Sequence, residues 1–255
     1  NKVVRQEFQL QEEDALSLGT LSDHNIKPRD ILDLIDKEIL VGFCDTCGIK
    51  KGKDIRAKIL STYKDTQNLL LENYALIGKR DLNGLKEREI TIKECDLGAT
   101  YEDLTRKIFS NLGYNVDEKL RKKLDTTRAK MDIVLNLDGK EVIIVECKTA
   151  KGSTYTKYAS VSRQLKSYVK LCEDRGYRVI RTIIVADGFS DDFINDCEYD
   201  LEMNLSLITS TGLLQIMNAF QKSTLKAFPT KLFQKEGLLH EGRIVQLLEG
   251  KKATT

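Results

Sequence analysis

No run of about 18 apolar residues occurs in this 255-residue chain, which excludes an ordinary membrane-spanning helix. The N-terminal segment also lacks the apolar core of a signal peptide, so an intracellular protein without membrane contacts is expected. The chain starts at Asn1 rather than Met, which points to a trimmed product or a piece of a longer polypeptide. Six cysteines are too sparse for a disulfide framework, and reduced thiols packed as small apolar residues are expected instead. No glycine-rich phosphate loop ending in Lys-Ser or Lys-Thr is present, so no nucleotide cofactor is expected. Excess charge of one sign is missing too. With a formal net charge of +2, any contact with nucleic acid must come from local basic clusters.

What is present suits a folded protein. Hydrophobic residues make up 41% and charged residues 31%, and the length allows one large domain or two modest ones. Residues up to about Glu94 show helical spacing without strand alternation. Pro28 opens a helix towards Leu40, with Ile31, Leu32, Leu34 and Ile35 at helical intervals. A longer helix is expected from about Asp54 towards Tyr74. The rhythm then changes to that of an α/β domain, with the boundary near Cys95. Thr100 and Asp103 can cap a helix carrying Tyr101, Leu104, Ile108, Phe109 and Leu112, closed by Gly113. Asn115 to Leu120 reads as a first strand. Met131 to Leu137 and Lys140 to Thr149 read as a hairpin around Asp138-Gly139. A helix from Tyr158 stopping at Gly176, a buried strand from Arg178 to Ala186, a short helix at Asp191, a strand at Leu205 to Thr209 and a helix from about Leu213 complete the unit. The expected layout is a helical region over 1–95, a core over 96–222 and a helical tail over 223–255.

The chemistry concentrates at the end of the second hairpin strand. Val142-Ile143-Ile144-Val145 has no polar alternation, so this strand is expected to be central and covered on both faces. It runs into Glu146-Cys147-Lys148. Residues two apart share a strand face, so Glu146 and Lys148 project together and Cys147 points away. One reading is a structural ion pair where the strand meets water. The other adds Asp132 as a second oxygen donor for a hard divalent cation, which requires it to share their face. A two-residue turn at Asp138-Gly139 would pair Asp132 with Val145, on the wrong face. A three-residue turn, Leu137-Asp138-Gly139 with Gly139 left-handed, pairs it with Ile144 and restores the right one. The latter is the expectation.

These residues resemble the PD-(D/E)xK nuclease superfamily, whose core motif is an Asp followed across a hairpin by Glu or Asp, any residue, and Lys. Asp132 and Glu146-Cys147-Lys148 match it. The segment Gly98-Ala99-Thr100-Tyr101-Glu102 is similar to the family's first helix, in which an aromatic-Glu pair supplies another acidic ligand, here Glu102. A solvated Glu in a first helical turn is an equal reading of that residue. Gln164-Leu165-Lys166-Ser167-Tyr168 is similar to the Gln-x-x-x-Tyr element of RecB-like members. At four residues apart, Gln164 and Tyr168 share a helix face. The chain departs from the pattern at Ala129, where RecB-like members carry Gly, and at Met131, which replaces the Pro of the name. The resemblance runs from roughly Gly98 to Phe220.

The resemblance implies a restriction-endonuclease-like α/β core, a mixed sheet flanked by helices in αβββαβ order. It implies Mg²⁺, as one or two ions that Mn²⁺ can replace. The ligands would be Asp132, Glu146, the Cys147 carbonyl and Glu102, with Lys148 orienting the attacking water and Gln164 assisting. The products would carry a 5′-phosphate and a 3′-hydroxyl. The substrate would be double-stranded DNA, cut by a restriction endonuclease that forms a homodimer at least on DNA. A RecB-like or junction-resolving repair nuclease, or a non-cleaving DNA-binding subunit of the same fold, are the alternatives. Lys122, Lys123, Arg128, Lys130 and Lys151, with Tyr168, are the candidate DNA contacts, although such a basic run also suits a solvated surface. Cys44 and Cys47 look like half of a zinc site, which His24 and Cys95 could complete only by long-range folding.

Overall fold

The uninterrupted apolar stretch Val142–Val145 occupies the second position of a five-stranded sheet. The computed structural model describes residues 2–9, 26–49, 51–63, 69–88, 90–127, 129–137, 139–152, 154–200 and 202–250. The chain divides into two units, Asn1–Leu70 and Leu71–Thr255.

The first unit is helical: α1 (Lys2–Glu7), α2 (Pro28–Asp33), α3 (Lys37–Thr46) and α4 (Ile55–Tyr63). The helix expected from Pro28 to Leu40 is two helices, because the first ends at Leu34 and Asp36 starts the next. Leu40, Cys44, Ile49, Ile55 and Ile59 form its core. Cys44 is therefore packed as an apolar residue, whereas Cys47 is exposed. His24 lies outside the described residues.

The second unit begins with α5 (Leu69–Glu72), which straddles the division, then α6 (Tyr74–Gly78), α7 (Leu82–Glu87) and α8 (Leu97–Asn111). The division thus falls well before the boundary expected near Cys95. The physical reason is burial: Tyr74, Ile77 and Leu85 are almost fully enclosed, and the Tyr74 ring stacks on Tyr101 of α8 at 4.6 Å. Helix α8 also starts earlier than expected, after Asp96. Thr100 does not cap it, and its hydroxyl donates back to the Asp96 carbonyl at 2.8 Å.

The strand expected at Asn115–Leu120 is reduced to one bridge, Val116 with Leu135. Asp117 instead caps α9 (Glu118–Leu124) by accepting from the Leu120 amide at 2.8 Å. An Asp that satisfies a free amide of the first turn starts a helix efficiently, and Lys and Arg in the last turn suit its dipole.

Then come β1 (Ile133–Asn136), β2 (Glu141–Cys147), α10 (Tyr158–Glu173), β3 (Arg178–Ala186), α11 (Asp191–Tyr199), β4 (Leu205–Thr209), α12 (Ser210–Lys222), β5 (Gly237–Leu238) and α13 (Glu241–Glu249). The sheet order is β1-β2-β3-β4-β5, antiparallel at β1–β2 and parallel elsewhere. This is the mixed sheet flanked by helices that was expected. One face carries Val134, Val142, Ile144, Ile184, Leu205 and Leu207 against Val161, Leu165, Tyr168 and Cys172 of α10 and Phe193 of α11. On the other, α8 packs on β2 and α12 on β4. Burial on both faces explains why β2 and β3 read as continuous apolar runs. Residues after 222 pack onto the core: β5 pairs with β4, and Phe233, Leu239, Ile244 and Leu248 are buried.

Candidate active site

The hairpin register sets the site. Ile133 pairs with Val145 and Asn136 with Val142, and Leu137 donates to the Glu141 carbonyl at 2.9 Å. The turn therefore lies between Leu137 and Glu141, one residue later than expected. Gly139 is left-handed at φ 81°, and Asp138 lies outside the described residues. Carrying this register one step further sets Asp132 opposite Glu146 rather than Ile144. The shift moves the pairing by two positions and so preserves the face.

Asp132, Glu146 and Lys148 thus come together where β2 ends. The Cys147 amide donates to Asp132 Oδ2 at 2.8 Å, and Lys148 Nζ meets Glu146 Oε1 at 2.6 Å. Helix α10 supplies the expected partners. Gln164 Nε2 donates to Glu146 Oε1 at 3.0 Å and its Oε1 accepts from Lys148 Nζ at 3.3 Å. Gln164 Nε2 also lies 2.6 Å from Tyr168 Oη, which donates to the Lys130 carbonyl at 2.5 Å. The four-residue spacing turns both side chains to the strand end, and Tyr168 is at once packed in the core and bonded to the segment leading into Asp132. Cys147 points to the opposite face, as alternation requires.

Electrostatically the group is unbalanced. Glu146 is 1% exposed, and its Oε2 is buried without a hydrogen-bond partner. Burial, and then the charge of Asp132, push its carboxyl up to about 7. Burial also raises Asp132, against the Cys147 amide and Lys148. Burial, the largest single influence, would lower Lys148, but the charge and hydrogen bond of Glu146 together with the charge of Asp132 outweigh it and the net shift is upward. A carboxylate oxygen without a donor, beside a second carboxylate, is the arrangement a bound cation would complete. Among the described residues no group of three or more His, Cys, Asp or Glu side chains is set to hold a metal ion. Glu102 Oε2 faces Arg106 Nη2 at 3.4 Å. It is close enough that burial, and then Asp132, raise its carboxyl.

Of the candidate DNA contacts, Lys122, Lys123 and Lys130 are exposed, Lys151 is exposed and paired with Glu94, and Arg128 lies outside the described residues. Arg121, in the same basic run, turns inward. It binds Glu118 at 2.9 Å, Asp125 at 2.9 Å and the Met131 carbonyl at 3.2 Å. The sequence reading missed Arg106, whose Nη2 donates to the Asp132 carbonyl at 2.8 Å and so helps fix that residue. Its four-residue offset from Glu102 was the visible signal.

No family model matches the chain, and no curated protein matches it. Among solved structures it is similar to the restriction endonuclease FokI, with a TM-score of 0.45 and 14% identity over 56% of this chain and 28% of that chain.

Proposed function

We propose that the second unit is a divalent-metal-dependent nuclease that hydrolyses phosphodiester bonds in double-stranded DNA. The observation that carries this reading is the unpartnered, buried Glu146 Oε2 beside Asp132 and Lys148 at the end of a central strand. Asp132, Glu146 and the Cys147 carbonyl would hold Mg²⁺, with Glu102 acting through water. When bound, the ion supplies Lewis-acid polarisation of the phosphoryl oxygen and lowers the pKa of water.

The chain's own residues supply the rest. Gln164 holds Glu146 and Lys148 in register, and Tyr168 and Arg106 fix both ends of the Lys130–Asp132 segment. Lys148 would orient the attacking water and offset negative charge on the phosphorus centre. Lys122, Lys123 and Lys130 would follow the backbone electrostatically. Cutting both strands with one such site per chain calls for two copies, which fits a restriction endonuclease paired on DNA.

The test is cleavage of supercoiled and linear DNA in Mg²⁺, with EDTA as the control. The expected result is metal-dependent cutting by the wild type and none by Asp132→Ala or Lys148→Ala. A wild type that binds DNA but leaves duplex, branched and single-stranded forms intact would instead favour a non-cleaving subunit.

A further inference from the structure

A second charged group lies just past the acidic pair. The Ala150 amide donates to the Gly78 carbonyl at 3.1 Å, tying the end of α6 to the residues that follow Lys148. Two residues beyond Gly78, Arg80 has φ 57°. That left-handed residue closes the helix: the Arg80 amide donates to the Ile77 carbonyl at 3.0 Å and the Asp81 amide to the Leu76 carbonyl at 2.9 Å.

The Arg80 guanidinium donates to Thr149 Oγ1 at 3.2 Å and to the Glu94 carbonyl at 3.1 Å. Thr149 is the residue after Lys148, so Arg80 is fixed one position from the proposed catalytic lysine. The Glu94 carboxylate lies between two cations, its Oε1 3.7 Å from Arg80 Nη2 and 2.8 Å from Lys151 Nζ. Lys79 stands next to Arg80 in the chain and pairs with Asp187 at 3.8 Å.

Exposed ion pairs of this kind add little to stability. An arginine fork and a lysine point charge converging on one anionic oxygen are instead the donor set for a phosphate. We propose that Arg80 and Lys151 bind a DNA backbone phosphate neighbouring the one that is cut. Glu94 fills that place in the free protein and is displaced when DNA binds. The inference rests on the nuclease reading and adds to it an internal competitor for the substrate.

The experiment measures affinity for a short labelled DNA duplex in Ca²⁺ across a salt series, and cleavage of the same duplex in Mg²⁺. Lys151→Ala and Arg80→Asn, the latter chosen because Asn tolerates the left-handed region, each weaken binding about three- to tenfold and lower the salt slope by about one phosphate contact. Glu94→Gln tightens binding a few-fold, about the effect expected from removing a competing charge. A purely structural ion pair would shift the melting temperatures without these opposite changes in affinity. Unchanged affinity in all three variants, with a wild type that binds and cuts, overturns the phosphate site and leaves the nuclease reading standing. A wild type that neither binds nor cuts overturns both. If the wild type binds without cutting, the hydrolytic reading falls and the three affinities still decide the phosphate site.

Discussion

The segment around Asp132 touches two charge clusters that differ in how well they are satisfied. On one side Arg121 is surrounded by Glu118, Asp125 and the Met131 carbonyl, and Asp125 also accepts from the Met131 amide at 2.9 Å. Every charge there has an opposite charge beside it, Glu118 Oε1, which lacks a hydrogen bond, facing Arg106 Nε at 3.2 Å. On the other side, Glu146 and Asp132 crowd two carboxylates against one ammonium and leave an oxygen unpartnered. A satisfied cluster holds the chain in place. An unsatisfied one is costly for the fold and is suited to a ligand that supplies the missing charge.

That contrast gives its sharpest test in activity. Lys148→Ala should lower DNA cleavage by at least about a hundredfold, as expected for loss of a group stabilising transition-state charge. Arg121→Ala should cost about 2 kcal/mol by stranding Asp125 and Glu118 while most of the cleavage remains. Cleavage assays and denaturant unfolding of both variants check this, and a folded Arg121→Ala protein as inactive as Lys148→Ala would erase the distinction.

Acidity offers a subtler test. Because Glu146 is raised to about 7 in the fold, the native metal-free protein holds a proton that the unfolded chain has lost. Its contribution to stability is therefore favourable at low pH and declines as pH rises from the ordinary carboxylate range to about 7. Thermal unfolding across that window should show the decline, and Glu146→Gln or added Mg²⁺ should flatten it. The smallest effect belongs to the satisfied side. Asp117 caps α9 and accepts from Asn136 at 2.8 Å, and those bonds hold its carboxyl below the usual range. Asp117→Ala should cost about 1 kcal/mol with cleavage unchanged.

Much of the site was legible because it depends on short periodicities. Alternation along β2 placed Glu146 and Lys148 together, and helical spacing turned Gln164 and Tyr168 to the same point. The face of Asp132 was readable even though its partner was not, since facing depends only on register parity and a shift of two leaves it intact. What escaped were features set by competition or by distance in the chain. Asp117 could open a helix or lie in a strand, and the local cap won. Arg106 and Arg80 owe their positions to the Asp132 carbonyl and the Thr149 hydroxyl, contacts that no local pattern announces. The packing of Phe233 and Leu248, far beyond the motif, was equally invisible.

Both margins of the sheet are blunt. β5 contributes only Gly237 and Leu238, and the outer side of β1 is already engaged, the Asp117 amide donating to Val134 and the Asn115 carbonyl accepting from Asn136. Among the described residues, neither margin offers a neighbouring molecule enough free ladder to extend. If two copies pair on a duplex as proposed, they would join through helical or loop surfaces rather than by extending the sheet.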